Sequence, residues 1–463
     1  MNKPERFSPN SPEARDISYH LHPYTNPAIL RETGPQIISA GNGIRVTDSE
    51  GKSFIEGMSG LWCVSFGFGE PALVEAAHRQ MQQLPFYHSF TGKTVNPAID
   101  LAERLIDIAP EGLGKAFFCN SGSEANDTAI KMIWYYQAAM GRPEKKKIIS
   151  RKRAYHGVTL AAASLTALPY VQDGFGLPLD FALHTASPHY FADAGEGETE
   201  AAFVARLAAE LEAMIEAEGA DTIGGFFAEP VMGAGGVIIH PEGYFEAIQP
   251  ILKKHDILFV ADEVICGFGR TGNMWGSQTF AIRPDILTCA KALSSAYLPI
   301  SAVLVTPAVA AGVEAQAERL GMFGHGYTYS AHPVPAAVAV RTLELMEERN
   351  IIGHVRSVAP LFAERVHALK RYDCVGDTRA VGLIGAMEFV ARPDTREKLP
   401  AAAKFAPQVM KAIQDNGVIL RALPLDGIGF CPPLIITETE INEMFDRVED
   451  VMPAMDGLAA SFG

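Results

Sequence analysis

Short apolar runs that keep alternating with helix-length amphipathic stretches constrain this chain more than any other feature. Between residues 71 and 330 the runs are KAFFCN (115–120), KIIS (147–150), IGGFFAE (223–229), ILFVADE (257–263), DILTCAK (285–291) and SAVLVT (301–306). Between them lie stretches with helical spacing, such as Glu198 to Glu218 and Glu242 to His255. Apolar strands separated by helices imply a mostly parallel sheet covered on both faces, since each strand buries both of its sides. Ligands of such α/β sheets sit beyond the carboxyl ends of the strands. Several polar residues of this chain, Asn120, Glu229, Asp262 and Lys291, stand at the ends of these runs.

Residues 1 to about 70 look irregular, with turn signals at Gly41-Asn42-Gly43 and Ser49-Glu50-Gly51. After residue 334 come two long helical patterns, then GLIGAMEFV (382–390), another helix, VILRAL (418–423) and a final helix. The expected division is an N-terminal segment, 1–70, packing with a small domain; a large domain, 71–333; and a small α+β domain, 334–463. A length of 463 residues accommodates these.

The formal net charge of −15 argues against a nucleic-acid binder. The densest basic runs, Lys145 to Lys147 and Arg151 to Arg153, read as solvated strand ends. The longest uncharged stretch, Tyr297 to Val313, is broken by Pro299 and Pro307 and is too short to span a bilayer. The polar, Pro-containing N-terminus shows no secretory signal. Six cysteines without CxxC pairs fit reduced thiols in a cytoplasmic protein and no zinc site.

Three motif matches mislead. Gly267-Phe268-Gly269-Arg270-Thr271-Gly272 reads GxGxxG, but no helix pattern follows it and two carboxylates precede it, which disfavours a dinucleotide pyrophosphate. Gly51-Lys52-Ser53 and Gly92-Lys93-Thr94 imitate a P-loop, yet Val46 and Tyr87 replace its first glycine.

Three other features carry chemistry. Asn120-Ser121-Gly122-Ser123 follows a strand and opens a helical pattern running to Met140. Free backbone N–H groups there make either an anion site or a plain N-cap. Lys291 closes an apolar run, as a solvated strand end or as an amine that forms a Schiff base. Asp262 ends another, as a turn cap, as a partner of an arginine such as Arg270, or as a partner for a bound cation. Together an anion cradle, a strand-end carboxylate and a strand-end lysine match the three handles of pyridoxal phosphate: its phosphate, its ring nitrogen and its aldehyde.

The set Asn120-Ser121-Gly122-Ser123-Glu124-Ala125-Asn126, Tyr155-His156-Gly157, Glu229-Pro230-Val231, Asp262 to Gly272, Ala290-Lys291 and Tyr327-Thr328-Tyr329 resembles the class III aminotransferases over nearly the whole chain. These are pyridoxal-phosphate enzymes of the aspartate-aminotransferase fold (fold type I), an α/β large domain with a smaller α+β domain. The resemblance implies that Lys291 carries the cofactor and shuttles the proton, while Asp262 pairs with the ring nitrogen. It implies that Ser121, Gly122 and Ser123 form the phosphate cradle, joined by Thr328 of the partner in a homodimer. Tyr155 and Val264 would cover the two ring faces and Glu229 would support the ring's polar edge. His156 is expected beside the cofactor, in a structural or a catalytic role.

Where relatives using 2-oxoglutarate often carry a glutamate in the turn after Glu-Pro, this chain has Gly233-Ala234-Gly235-Gly236. That turn, with Leu61-Trp62, Tyr87-His88-Ser89-Phe90 and Arg421, is similar to the amine:pyruvate branch, the ω-transaminases. By that resemblance Tyr24, Trp62 and Phe90 would wall an apolar amine pocket, and Arg421 would bind the carboxylate of pyruvate or alanine. The expected activity is ping-pong transfer of an amino group from a primary amine or ω-amino acid to a keto acid. Use of 2-oxoglutarate, an aminomutase or decarboxylase reaction on the same cofactor, a non-catalytic member and a nicotinamide oxidoreductase are the competing expectations.

Overall fold

The computed structural model describes residues 7–392 and 396–462. Its centre is a seven-stranded sheet with the edge-to-edge order Lys115–Cys119, Ser301–Val305, Ile286–Cys289, Leu258–Asp262, Ile223–Ala228, Lys147–Arg151 and Ala182–Thr185. Only Ser301–Val305 runs antiparallel to its neighbours; the others share one direction, so their carboxyl ends form a common edge. Ile223–Ala228 is buried at every position, as a central strand covered on both faces must be. Its Gly225 lets a helix approach closely: a Cβ there would lie 2.7 Å from Cδ1 of Ile133. That isoleucine belongs to the helix Gly122–Ala139, which the close approach seats on the sheet.

Two smaller sheets flank this unit. Val375–Val381, Ile384–Phe389, Gly427–Phe430 and Arg421–Leu423 form an antiparallel sheet. The other contains Ile38–Asn42, Arg45–Asp48 and Ser53–Glu56, and Val418–Ile419 joins it parallel to Ser53–Glu56. The first seventy residues are therefore more regular than their turn signals suggest. VILRAL is not one strand: its two halves enter different sheets, with Leu420 between them. Ala182–Thr185, whose ALHT sequence carries no apolar run, is an edge strand that the pattern missed.

The basic runs also depart from expectation. Arg151 is fully buried, donating to the Glu229 carbonyl at 2.6 Å and lying over the Phe245 ring. Lys145 is buried as well, donating to the carbonyls of His255 and Asp256 at 2.9 and 3.1 Å. Charge clustering alone does not distinguish such buried, carbonyl-satisfied cations from solvated ones. Among the described residues no helix is long and apolar enough to cross a membrane.

Candidate active site

The carboxyl edge of the large sheet encloses a cavity of about 160 Å³. Of the residues singled out from sequence, Gly122, Ser123, Tyr155, His156, Glu229, Asp262, Val264 and Lys291 line it. They arrive from five strand ends, which the parallel topology brings together although 169 positions separate Gly122 from Lys291. Ser121 lies just behind, its side chain accepting from the Glu124 N–H at 3.2 Å as the cap of the helix Gly122–Ala139. The cap is thus real, and it sits beside an open helix mouth. A methyl at Gly122 would lie 3.0 Å from Val264 Cγ1, so glycine keeps that mouth accessible.

Lys291 follows the strand Ile286–Cys289 with φ +49°, a left-handed conformation uncommon for a side chain other than glycine or asparagine. Burial pushes its amine below the ordinary lysine range, and the Asp262 charge opposes part of that fall. A lowered amine is a better nucleophile near neutrality.

Asp262 and Glu263, adjacent in sequence, point into different environments. Asp262 Oδ2 accepts from Asn126 Nδ2 at 2.8 Å and pairs with His156 Nδ1 at 2.8 Å, while Oδ1 accepts from the Val264 N–H at 3.1 Å. Asn126 is fixed in turn, donating to the His156 carbonyl at 2.6 Å and accepting from Thr288 Oγ1 at 2.8 Å. Arg270 does not pair with Asp262: it donates to the carbonyls of Leu383 and Pro432 at 2.9 and 2.6 Å. Glu263 turns away and accepts from the N–H groups of Gly276 and Ser277 at 2.9 and 2.5 Å. Complete burial raises its carboxyl to about 7 despite those bonds.

Glu229 accepts from the Tyr155 and Gly233 N–H groups, both at 3.1 Å. Burial raises its carboxyl; His156 opposes this rise and the Asp262 charge adds to it. It therefore couples the Tyr155 backbone to the glycine-rich turn. Asn126, Thr288 and Gly157 were given no role from sequence. For Asn126 a signal existed, since its spacing of four from Gly122 puts both on one helix face. The Thr288 contact depends on tertiary structure alone.

The other predicted residues lie outside this cavity's lining. Tyr24 approaches Tyr155, hydroxyl to hydroxyl, at 3.2 Å. Ala234 is buried with Ala163, Leu168 and Val171 beside Tyr155. The half-buried Arg421 lies near Tyr155 and Tyr170, offsetting the burial that raises both phenols. Among the described residues no carboxylate pairs with it. Trp62 is buried, with φ +66°, and its ring borders Gly429 of the small sheet. Phe90 is exposed next to Gly326, and Thr328 is exposed two residues further on, away from the cavity of its own chain.

The site suits pyridoxal phosphate. It offers a helix mouth with free N–H groups for a dianion, a hydrogen-bonded carboxylate for a cationic ring nitrogen and a buried amine for an aldehyde. With its fold, this set defines a pyridoxal-phosphate enzyme of fold type I.

Comparison with known proteins gives the narrower class. The family described as "Aminotransferase class-III" matches residues 30–452. Gamma aminobutyrate transaminase 1, mitochondrial, of Solanum lycopersicum is 47% identical over 425 residues, 92% of this chain and 82% of that protein. The omega transaminase of Pseudomonas jessenii, solved with PMP, superposes with a TM-score of 0.96 at 46% identity, covering 98% of this chain and all of that one. A transaminase solved with L-alanine gives 0.90 at 49% identity, covering 91% and 99%. This chain belongs to the class III aminotransferases. It is a pyridoxal-phosphate-dependent transaminase acting on small amines and keto acids.

Proposed function

We propose that the enzyme transfers an amino group from a primary amine or ω-amino acid to pyruvate by a ping-pong mechanism. The observation that carries this reading is Arg421, a half-buried guanidinium beside Tyr155 with no carboxylate partner among the described residues. Alanine at position 234 places no acid in the turn that could mask that arginine. A planar guanidinium suits bidentate binding of a small carboxylate. The relatives named for γ-aminobutyrate and the neighbour solved with L-alanine support an ω-amino acid donor and an alanine/pyruvate pair.

Bound pyridoxal phosphate supplies an aldehyde for amines and a ring that accepts the electron pair released from the substrate carbon. The chain does the rest. Gly122 and Ser123 would hold the phosphate at the helix mouth, with Val264 and Tyr155 lining the cavity for the ring. Asp262, oriented by Asn126 and His156, would hold a proton on the ring nitrogen. The Lys291 amine would bond to the aldehyde and, when free, would be the group placed to hold and move the proton of the substrate carbon. Glu229 braces the backbone of Tyr155.

Thr328 and the aromatic side chains of Phe86, Tyr87, Phe90 and Tyr329 are exposed near one another, supporting a homodimer in which each subunit completes its partner's site. Tyr24, Trp62 and Phe90 would then border the amine substituent. Six free cysteines, five of them buried, support a cytoplasmic enzyme.

The test is absorbance of the holoenzyme treated with an aryl-alkyl amine without keto acid. The visible cofactor band should be lost, then restored by pyruvate and not by 2-oxoglutarate. Restoration by 2-oxoglutarate alone would reverse the assignment of the acceptor. Arg421→Ala should raise the pyruvate KM by about tenfold or more, the scale of a lost charge-assisted contact, while sparing the aryl amine. Equal losses for both would remove Arg421 from the reading.

A further inference from the structure

Arg421 stands on the small antiparallel sheet, while Tyr155 and Lys291 lie beyond strand ends of the large one, so something must fix the distance between the two sheets. Glu388, on the strand Ile384–Phe389, has no solvent exposure. It receives His189 Nε2 at 2.8 Å, Arg379 Nη2 at 3.0 Å and the Lys398 amine. Burial alone would raise this carboxyl, but the His189 hydrogen bond and the Arg379 charge outweigh it and bring the group to about 2.

Two of its three partners, Arg379 and Lys398, reach opposite sides. Arg379 donates from Nη2 to the Gly236 carbonyl at 2.6 Å and from Nε to the Val237 carbonyl at 2.9 Å. Those carbonyls belong to the turn that carries Ala234 and whose Gly233 N–H bonds Glu229. Lys398 donates to the Leu425 carbonyl at 3.3 Å, two residues beyond the strand Arg421–Leu423. Leu425 is held in a left-handed conformation, φ +68°, and packs against Met232 and Ile238 at the base of the same turn.

Resting on the proposed role of Arg421, we infer that Glu388 and Arg379 are positioning residues that lock Arg421 and the Ala234 turn at one spacing, and so set recognition of the carboxylate co-substrate. Neither touches the cavity around Lys291. Their removal should therefore weaken keto-acid binding far more than it slows the half-reaction of an amine that carries no carboxylate. A carboxylate clamp misplaced by about an ångström can cost on the order of ten- to a hundredfold.

The experiment compares Glu388→Gln, Glu388→Asp and Arg421→Ala as holoenzymes, measuring pyruvate KM, kcat, the single-turnover rate with an aryl-alkyl amine, and Tm. Glu388→Gln should raise the pyruvate KM about tenfold or more and leave the amine rate within about twofold, with partial recovery in Glu388→Asp. An unchanged pyruvate KM with a lowered Tm would overturn the inference, leaving Glu388 a purely structural group. So would equal losses in both half-reactions. If Arg421→Ala alone shows the selective pyruvate defect, only this inference fails. If Arg421→Ala lacks that defect, the reading of the site beneath it fails too. Should Glu388→Gln not fold, His189→Gln removes one of the carboxylate's partners and must give the same selective defect.

Discussion

Replacing Glu263 by glutamine tests how this site separates two adjacent acids. Glu263 is completely buried, and its carboxyl sits at about 7 against an unfolded reference of 4.5. Between those values the folded chain holds a proton that the unfolded chain has released, so stability falls as pH rises through this window. The linkage expression for one group gives a loss on the order of 2–3 kcal/mol between pH 5 and pH 8. For a cooperative unit of 463 residues, an unfolding entropy near 2.1 cal/mol/K per residue turns that into roughly 2–3 °C in Tm. Glu263→Gln does not titrate, although it loses an acceptor for Gly276 or Ser277, so its Tm should be lower by an offset independent of Glu263 ionisation. Scanning calorimetry of both holoenzymes from pH 5 to pH 8 should show the Tm gap shrinking by about that amount as pH rises. A gap constant to within about half a degree would refute the claim that Glu263 folds protonated.

Lys291→Ala should lower multiple turnover by at least about a thousandfold in a coupled alanine assay; near-normal turnover would end the proposed mechanism. Gly157→Ala should weaken cofactor binding roughly tenfold, because φ is +135° there and a Cβ would lie 2.4 Å from Ser123 Oγ. Titrating the apoenzyme with pyridoxal phosphate checks this, and unchanged affinity would mean that the cradle tolerates the shift.

What could be read from sequence was local or periodic. The central strands announced themselves because burial on both faces demands unbroken apolar runs, and the helix after Asn120 because its cap and its spacing lie within one segment. The edge strand Ala182–Thr185 stayed hidden since an edge needs no such run. The split of VILRAL between two sheets depends on a partner far away in the chain, Ser53–Glu56, which takes Val418–Ile419, while Arg421–Leu423 pairs with the neighbouring Gly427–Phe430. The burial of Arg151 and Lys145 is hidden for the same reason, since the carbonyls that satisfy them come from other segments.

The two acids that close ILFVADE show where that boundary lies. Alternation along a strand sends neighbouring side chains to opposite faces, so a sequence can announce that one of a pair faces the ligand edge and the other does not. It cannot announce what each will meet. Asp262 meets Asn126 and His156, donors that leave its charge available to a cation in the cavity. Glu263 meets backbone N–H groups in a setting so buried that its proton stays until about pH 7. The same carboxyl chemistry is thus committed to ligand binding on one face and to structure on the other. The choice was made by residues that the fold brings in from more than a hundred positions upstream on the ligand side, and from just beyond the following turn on the other.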